Sequence, residues 1–198
     1  MNVPNKITIC RIILSVLLLV FMIFPVDKIG LNFPIFELGT TLKINSKSIL
    51  CGIIFMIASL TDFLDGHLAR KYNMVTDMGK VLDAIADKLL VNGVLIILAL
   101  DTIPVVIPVI IVSRDIIVDS IKMVAGRKSG AVGASMAGKV KTAFMLTGIT
   151  LLFFEDLPFS LFGLNKVSLV IIIIATILSI ISGVQYYEKN KKYLTDNM

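Results

Sequence analysis

The sequence has no tryptophan, one histidine, two cysteines and only 17% charged residues. Two thiols, Cys10 and Cys51, are too few for a disulfide framework, and both stand in apolar surroundings that read as core positions. The topology below puts them near opposite faces of a membrane, so no bridge between them is expected. So few charges cannot cover a core when 57% of 198 residues are apolar; a water-soluble fold of this length needs more polar surface. The mean hydropathy of +0.94 also lies outside the ordinary soluble class. A membrane is the natural solvent. Without Trp, the interfacial belt falls to Tyr, Lys and Arg. The formal charge of +5 reads as attraction to anionic lipid heads or anionic substrates rather than to nucleic acid.

Apolar stretches recur at roughly membrane-spanning length. They predict six helices, at 7–25, 47–70, 79–100, 103–125, 136–155 and 165–187. Turn residues separate them, and the stretch 25–48 reads as an outer loop. There is no repeat and no low-complexity tract. The expected fold is therefore an all-α integral membrane protein, a six-transmembrane-helix bundle forming one domain over 1–198. Lys6 and Arg11 precede an apolar run, as in a signal peptide, but no small-residue cleavage site follows before Pro25 and Asp27. The first segment reads as a retained helix.

Basic residues set the orientation. With the N-terminus in the cytoplasm, the inner side holds Lys6, Arg11, Arg70, Lys71, Lys80, Lys122, Arg127, Lys128, Lys139, Lys141, Lys189, Lys191 and Lys192. The outer side holds Lys28, Lys43, Lys47 and Lys166, while Lys88 and Arg114 fall inside helices. Both termini are expected in the cytoplasm of a cell whose plasma membrane carries the chain.

Asp62, Asp65, Asp83 and Asp87 stand in segments that otherwise read as membrane helix. An ionised carboxylate near a bilayer centre costs about 2.5–3.5 kcal/mol on insertion scales, so four of them need a partner. Asp62 and Asp65 are three apart and share a helix face; Asp83 and Asp87, four apart, share another. The short turn between makes the helices antiparallel neighbours, so all four carboxylates can converge. Converging carboxylates repel, and a hard divalent cation resolves the repulsion. The donors are all oxygens, with no Cys nearby in a ligand pattern, which points to Mg²⁺ or Mn²⁺ and away from Zn²⁺. The one histidine, His67, points away from the Asp62–Asp65 face by about two helix positions. Mg²⁺ held by carboxylates usually completes its shell with water or substrate phosphates, so a pyrophosphate-bearing substrate is implied. Gly66 and Gly79 flank the carboxylates and fit close approach of backbone to a ligand or to another helix. Arg70 closes its helix as a phosphate contact or an interface anchor. Asp77 is expected to be solvated or to cap the next helix.

Read together, the residues are Asp62-x-x-Asp65-Gly66-x-x-Ala69-Arg70, eight residues, then Gly79-x-x-x-Asp83-x-x-x-Asp87. This resembles the signature of the CDP-alcohol phosphotransferase family at every defining position. The resemblance implies a Mg²⁺ or Mn²⁺ site, a CDP-lipid donor, an alcohol acceptor and a homodimer whose active site opens to the cytoplasm. It implies Asp62, Asp65 and Asp83 as metal ligands and Asp87 as ligand and general base. It places Gly66, Ala69, Arg70 and Gly79 along the CDP site.

Asn5, Thr8 and Arg11 resemble the amino-terminal element of the glycerophosphate transferases in this family, an element near the nucleotide, which adds Asn5 and Thr8 to the CDP site. Ser113-Arg114-Asp115 and Gly138-Lys139-Val140-Lys141-Thr142 look like the same branch. The resemblance implies CDP-diacylglycerol as donor and glycerol 3-phosphate as acceptor, with CMP released. A phosphate dianion beside acidic residues needs cations aimed at it, and Arg114, Lys139 and Lys141 are the expected acceptor-phosphate residues. Asp115 and Asp119 share a helix face near Arg114 and Lys122, which reads as ion pairing. Within the family the acceptor could also be serine, inositol phosphate or phosphatidylglycerol. Outside it, a membrane prenyltransferase would have more helices and other acidic spacings. A divalent-cation transporter would need a continuous polar path, which the apolar stretches 14–24 and 91–100 do not offer.

Overall fold

Six helices form where the apolar runs predict them: α1 (Val3–Ile23), α2 (Ser46–Lys71), α3 (Asp77–Leu98), α4 (Val106–Ser129), α5 (Met136–Phe153) and α6 (Val167–Thr195). The structure, a computed structural model, describes residues 2–25, 30, 33–38, 42–72, 76–129 and 136–195.

Local chemistry sets the ends. Pro4 lies in the first turn of α1, where its missing N–H costs nothing, and Pro25 follows its end. Thr76 caps α3, its Oγ1 accepting from the Gly79 N–H at 3.0 Å, so the cap is Thr76 and not Asp77. α4 begins at Val106 rather than at 103, with Pro108 in its first turn. α6 starts against the Asp156 carboxylate, which accepts from the Lys166 and Ser168 N–H groups at 2.8 and 2.6 Å. It continues well past 187 through the run of Glu and Lys, all good helix formers.

α1 packs on both α2 and α3, and α6 packs on both α4 and α5; α2 meets α5, and α3 meets α4, to join the two groups. Leu18, Phe55, Val94, Leu95, Ile111, Met145, Ile149 and Ile172 fill the centre. Gly148 lets α5 lie against α6: a Cβ there would sit 2.7 Å from Ile172. Ser15, Ser168, Thr176, Ser179 and Ser182 are buried, while Leu17, Val20, Leu60, Ile116, Ile117 and Ile177 are exposed. Apolar outside and small polar inside is the pattern of a bundle solvated by lipid. Among the described residues, three helical stretches are long and apolar enough to cross a membrane: Asn5–Ile23, Met136–Phe153 and Val167–Lys191.

Two features depart from the sequence reading. The stretch 25–48 is not wholly loop: β1 (Ile35–Leu38) and β2 (Leu42–Asn45) pair antiparallel, with Phe36 opposite Ile44. The hairpin runs straight into α2, and Ile44 is buried beneath it. Lys47 then donates to the Met22 and Phe24 carbonyls at 3.0 Å each, closing the C-terminus of α1 with a cation. Cys10 is exposed, whereas Cys51 is buried as expected; both are free thiols.

Candidate active site

The site is built where α1, α2 and α3 meet. Asn5, Thr8 and Arg11 recur every three residues along α1, so one face carries all three, and all are buried. Asn5 Nδ2 donates to Thr76 Oγ1 at 3.2 Å, at the start of α3. Gly79 lies against this pair: a Cβ there would stand 2.7 Å from Asn5 Oδ1 and 2.9 Å from Thr76 Oγ1. A side chain at 79 would therefore displace the ends of Asn5 and Thr76 from where they meet. Two turns along α1, Arg11 is only 2% exposed. Its Nη1 donates to Asp62 of α2, and its Nη2 donates to Asp83 of α3 at 2.5 Å. One guanidinium thus joins carboxylates that are 21 residues apart in sequence and belong to two different helices.

Beyond Asp83, one turn along α3, Asp87 opens onto a cavity of about 220 Å³. Its wall comes from α3 (Asp87, Lys88), α4 (Arg114, Asp115, Asp119, Lys122), α5 (Gly138, Lys139, Lys141, Thr142) and Tyr186 of α6. The charges form two clusters. Asp115 accepts from Arg114 at 3.0 Å and from the buried Lys141 at 3.2 Å. Asp119 pairs with Lys88 and, at 3.5 Å, with Lys122, whose ammonium lies 5.4 Å from the Tyr186 ring centre. Five cations face three carboxylates, so the lining has a formal surplus of two positive charges. Asp87 stands within electrostatic reach of Asp62 and Arg11 on one side and of Lys141 and Asp115 on the other. It links the aspartate junction to the cavity.

Of the residues the sequence singles out, Asp62 and Asp83 are brought together through Arg11, and Asn5 and Gly79 are in contact. Asp87, Arg114, Lys139 and Lys141 share the cavity wall. Lys139 is exposed, while Lys141 is buried on Asp115. Arg114 is more tightly held than its sequence reading allows. Besides Asp115, it donates from Nε to the Ser179 carbonyl at 3.0 Å and from Nη2 to Ser182 Oγ at 2.7 Å, tying α4 to α6. Gly66 lies in α2, half-buried. Asp65, Ala69 and Arg70 lie on α2, but their side chains fall outside the described residues, as do those of His67, Arg127 and Lys128. Arg11 is the residue that sequence reasoning undervalues. A cation in an apolar helix next to the Asn5–Thr8 face was the available signal.

Among the described residues, no three His, Cys, Asp or Glu side chains group as a complete metal cage. The donors present are carboxylates from adjacent helices, the hard-oxygen chemistry that Mg²⁺ and Mn²⁺ prefer. A positive guanidinium already lies between two of them. A carboxylate has about four lone-pair sites, so one arginine contact does not exhaust it. The residues fit a hard divalent cation.

Comparison with known proteins gives the family. A family model described as CDP-alcohol phosphatidyltransferase matches residues 1–181. The chain is 37% identical over 190 residues to a CDP-diacylglycerol–glycerol-3-phosphate 3-phosphatidyltransferase of Bacillus subtilis, covering 96% of this chain and 95% of the relative. A protein of the same name from Rickettsia bellii is 34% identical over 197 residues, covering 97% of each. Another, from Haemophilus influenzae, is 31% identical over 202 residues, covering 100% of this chain and 97% of the relative.

Proposed function

The chain belongs to the CDP-alcohol phosphatidyltransferase family, and from that premise we propose that it moves the phosphatidyl group of CDP-diacylglycerol onto glycerol 3-phosphate, giving phosphatidylglycerol phosphate and CMP. The observation that carries the acceptor is the cavity beside Asp87, with its surplus of two positive charges. A phosphate dianion needs such a surround, since a buried unpaired charge is costly. A zwitterionic serine does not. The shared name of the relatives points the same way.

In this reading, Asp87 takes the proton of the acceptor hydroxyl. The oxygen attacks the β-phosphorus, and the bond from that phosphorus to the bridging oxygen breaks, so CMP leaves with the electron pair. Lys139 and Lys141 hold the acceptor phosphate beside Asp87, with Arg114 of α4, anchored on α6, bracing the wall. Asn5, Thr8, Gly66, Ala69, Arg70 and Gly79 line the CDP side. Asp62, Asp65, Asp83 and Asp87 would hold Mg²⁺ or Mn²⁺, which would polarise the diphosphate and offset charge on the departing CMP. The helices spend their rigidity on alignment of donor and acceptor.

The chain works in this reading as a homodimer in a bacterial plasma membrane, with all six helices spanning it. The aspartates face the cytoplasm, where most basic residues cluster. The diacylglycerol tails then stay among membrane lipids while the head group reaches the site. Steady-state kinetics of Lys139→Ala test the acceptor assignment. The apparent KM for glycerol 3-phosphate should rise roughly tenfold, about 1.4 kcal/mol, with little change for CDP-diacylglycerol. Equal effects on both substrates would contradict it.

A further inference from the structure

Arg11 is among the largest fully buried side chains of the protein, and it donates to two of the proposed metal-binding carboxylates, on two different helices. We propose that Arg11 is a positioning residue of the metal site: a resident cation that holds Asp62 and Asp83 together and sets how tightly the divalent ion binds. The inference rests on the metal-site reading above.

The physics runs from charge. Two carboxylates brought together in a low-dielectric bundle repel, and the helices that carry them would be pushed apart. A guanidinium is planar, always charged and able to donate to two acceptors at once, which a lysine ammonium cannot do with the same fixed geometry. Arg11 therefore keeps α2 and α3 in register by donating to a carboxylate on each. The same positive charge repels an arriving Mg²⁺ or Mn²⁺. The result is a site assembled in advance and moderated in affinity, from which metal and CMP can leave. The burial of Arg11 matters here: the guanidinium is withdrawn from water, although the two carboxylates it holds keep part of their surface exposed.

The test uses the full chain in detergent, with Mn²⁺ binding followed by the loss of the free-ion magnetic resonance signal, and with unfolding temperature measured in EDTA and in saturating Mn²⁺. Arg11→Gln removes the charge and keeps a polar side chain. It should bind Mn²⁺ about tenfold more tightly than wild type, because a repelling charge is gone. It should also melt lower than wild type in EDTA and recover most of that loss in Mn²⁺. Arg11→Lys keeps the charge, so its Mn²⁺ affinity should stay within about threefold of wild type. A merely structural arginine would lower the unfolding temperature equally with and without metal. That result, or unchanged or weaker Mn²⁺ binding in Arg11→Gln, would overturn the proposal. Should Arg11→Gln not fold, a tenfold shift in Arg11→Lys would overturn it alone. If wild type itself binds no Mn²⁺, the metal-site reading fails and takes this inference with it. Metal binding by wild type with no change in the variants removes only the inference.

Discussion

At the scale of single residues, the site is a problem of placing charge where charge is expensive. Asp87 stands between two environments: the Arg11–Asp62–Asp83 junction behind it and the cationic cavity in front. That position suits the proposed role of Asp87 as the base that takes the acceptor's proton. Asp87→Asn keeps size and hydrogen bonding but cannot accept the proton. A positioned base contributes about 10²- to 10⁴-fold, so kcat should fall by at least about a hundredfold. Binding of CDP-diacylglycerol should survive in part, because the other carboxylates remain. Single-turnover CMP release and equilibrium binding of the donor, measured side by side, check this; near wild-type release would remove Asp87 from the chemistry. The carboxylates and glycines of this site are legible in the sequence because an acid in an apolar helix has few innocent explanations. The partners of Arg114 are not. Its ties to Ser179 and Ser182 span 65 and 68 residues. No local pattern encodes them.

At the scale of elements, the decisive contact is between α1 and the start of α3. The two approach so closely at Gly79 that its missing side chain is part of the interface. Gly79→Ala would push a methyl group into Asn5 and Thr76, which hold each other by a hydrogen bond. Moving those side chains breaks their hydrogen bond and the Thr76 cap of α3, which together cost about 1–3 kcal/mol. Alanine recovers at most about 1 kcal/mol of helix propensity, and less in a first turn. The variant should unfold at a lower temperature than wild type and bind CDP-diacylglycerol more weakly, since Asn5 and Gly79 both belong to the proposed donor side. A variant as stable as wild type would mean that the two helices separate freely there. The helices themselves are legible because apolar runs of this length have one common outcome; their starts are harder to read, α1 beginning at Val3 rather than 7 and α3 at Asp77 rather than 79. The β1–β2 hairpin is less so. Its strands are four residues each, too short for alternation to stand out from a loop. Lys47, which closes α1, reads from sequence only as an outer charge.

At the scale of the whole molecule, the fold separates two tasks. Many exposed side chains of the helices are apolar and suit lipid, while the ion pairs among the described residues lie between α1, α2 and α3 and in the adjoining cavity between α3, α4, α5 and α6. A lipid donor can therefore stay dissolved in the bilayer while its head group meets a water-soluble acceptor. The central claim is that this cavity takes glycerol 3-phosphate as the acceptor of a phosphatidyl group. The most direct measurement gives the purified chain CDP-diacylglycerol and Mg²⁺ with one acceptor at a time: glycerol 3-phosphate, inositol phosphate, serine or phosphatidylglycerol. CMP release and the mass of the lipid product are followed together, with an EDTA control. Glycerol 3-phosphate should give fast, metal-dependent CMP release and a product with the mass of phosphatidylglycerol phosphate. Faster release with any other acceptor, or full activity in EDTA, would contradict that claim.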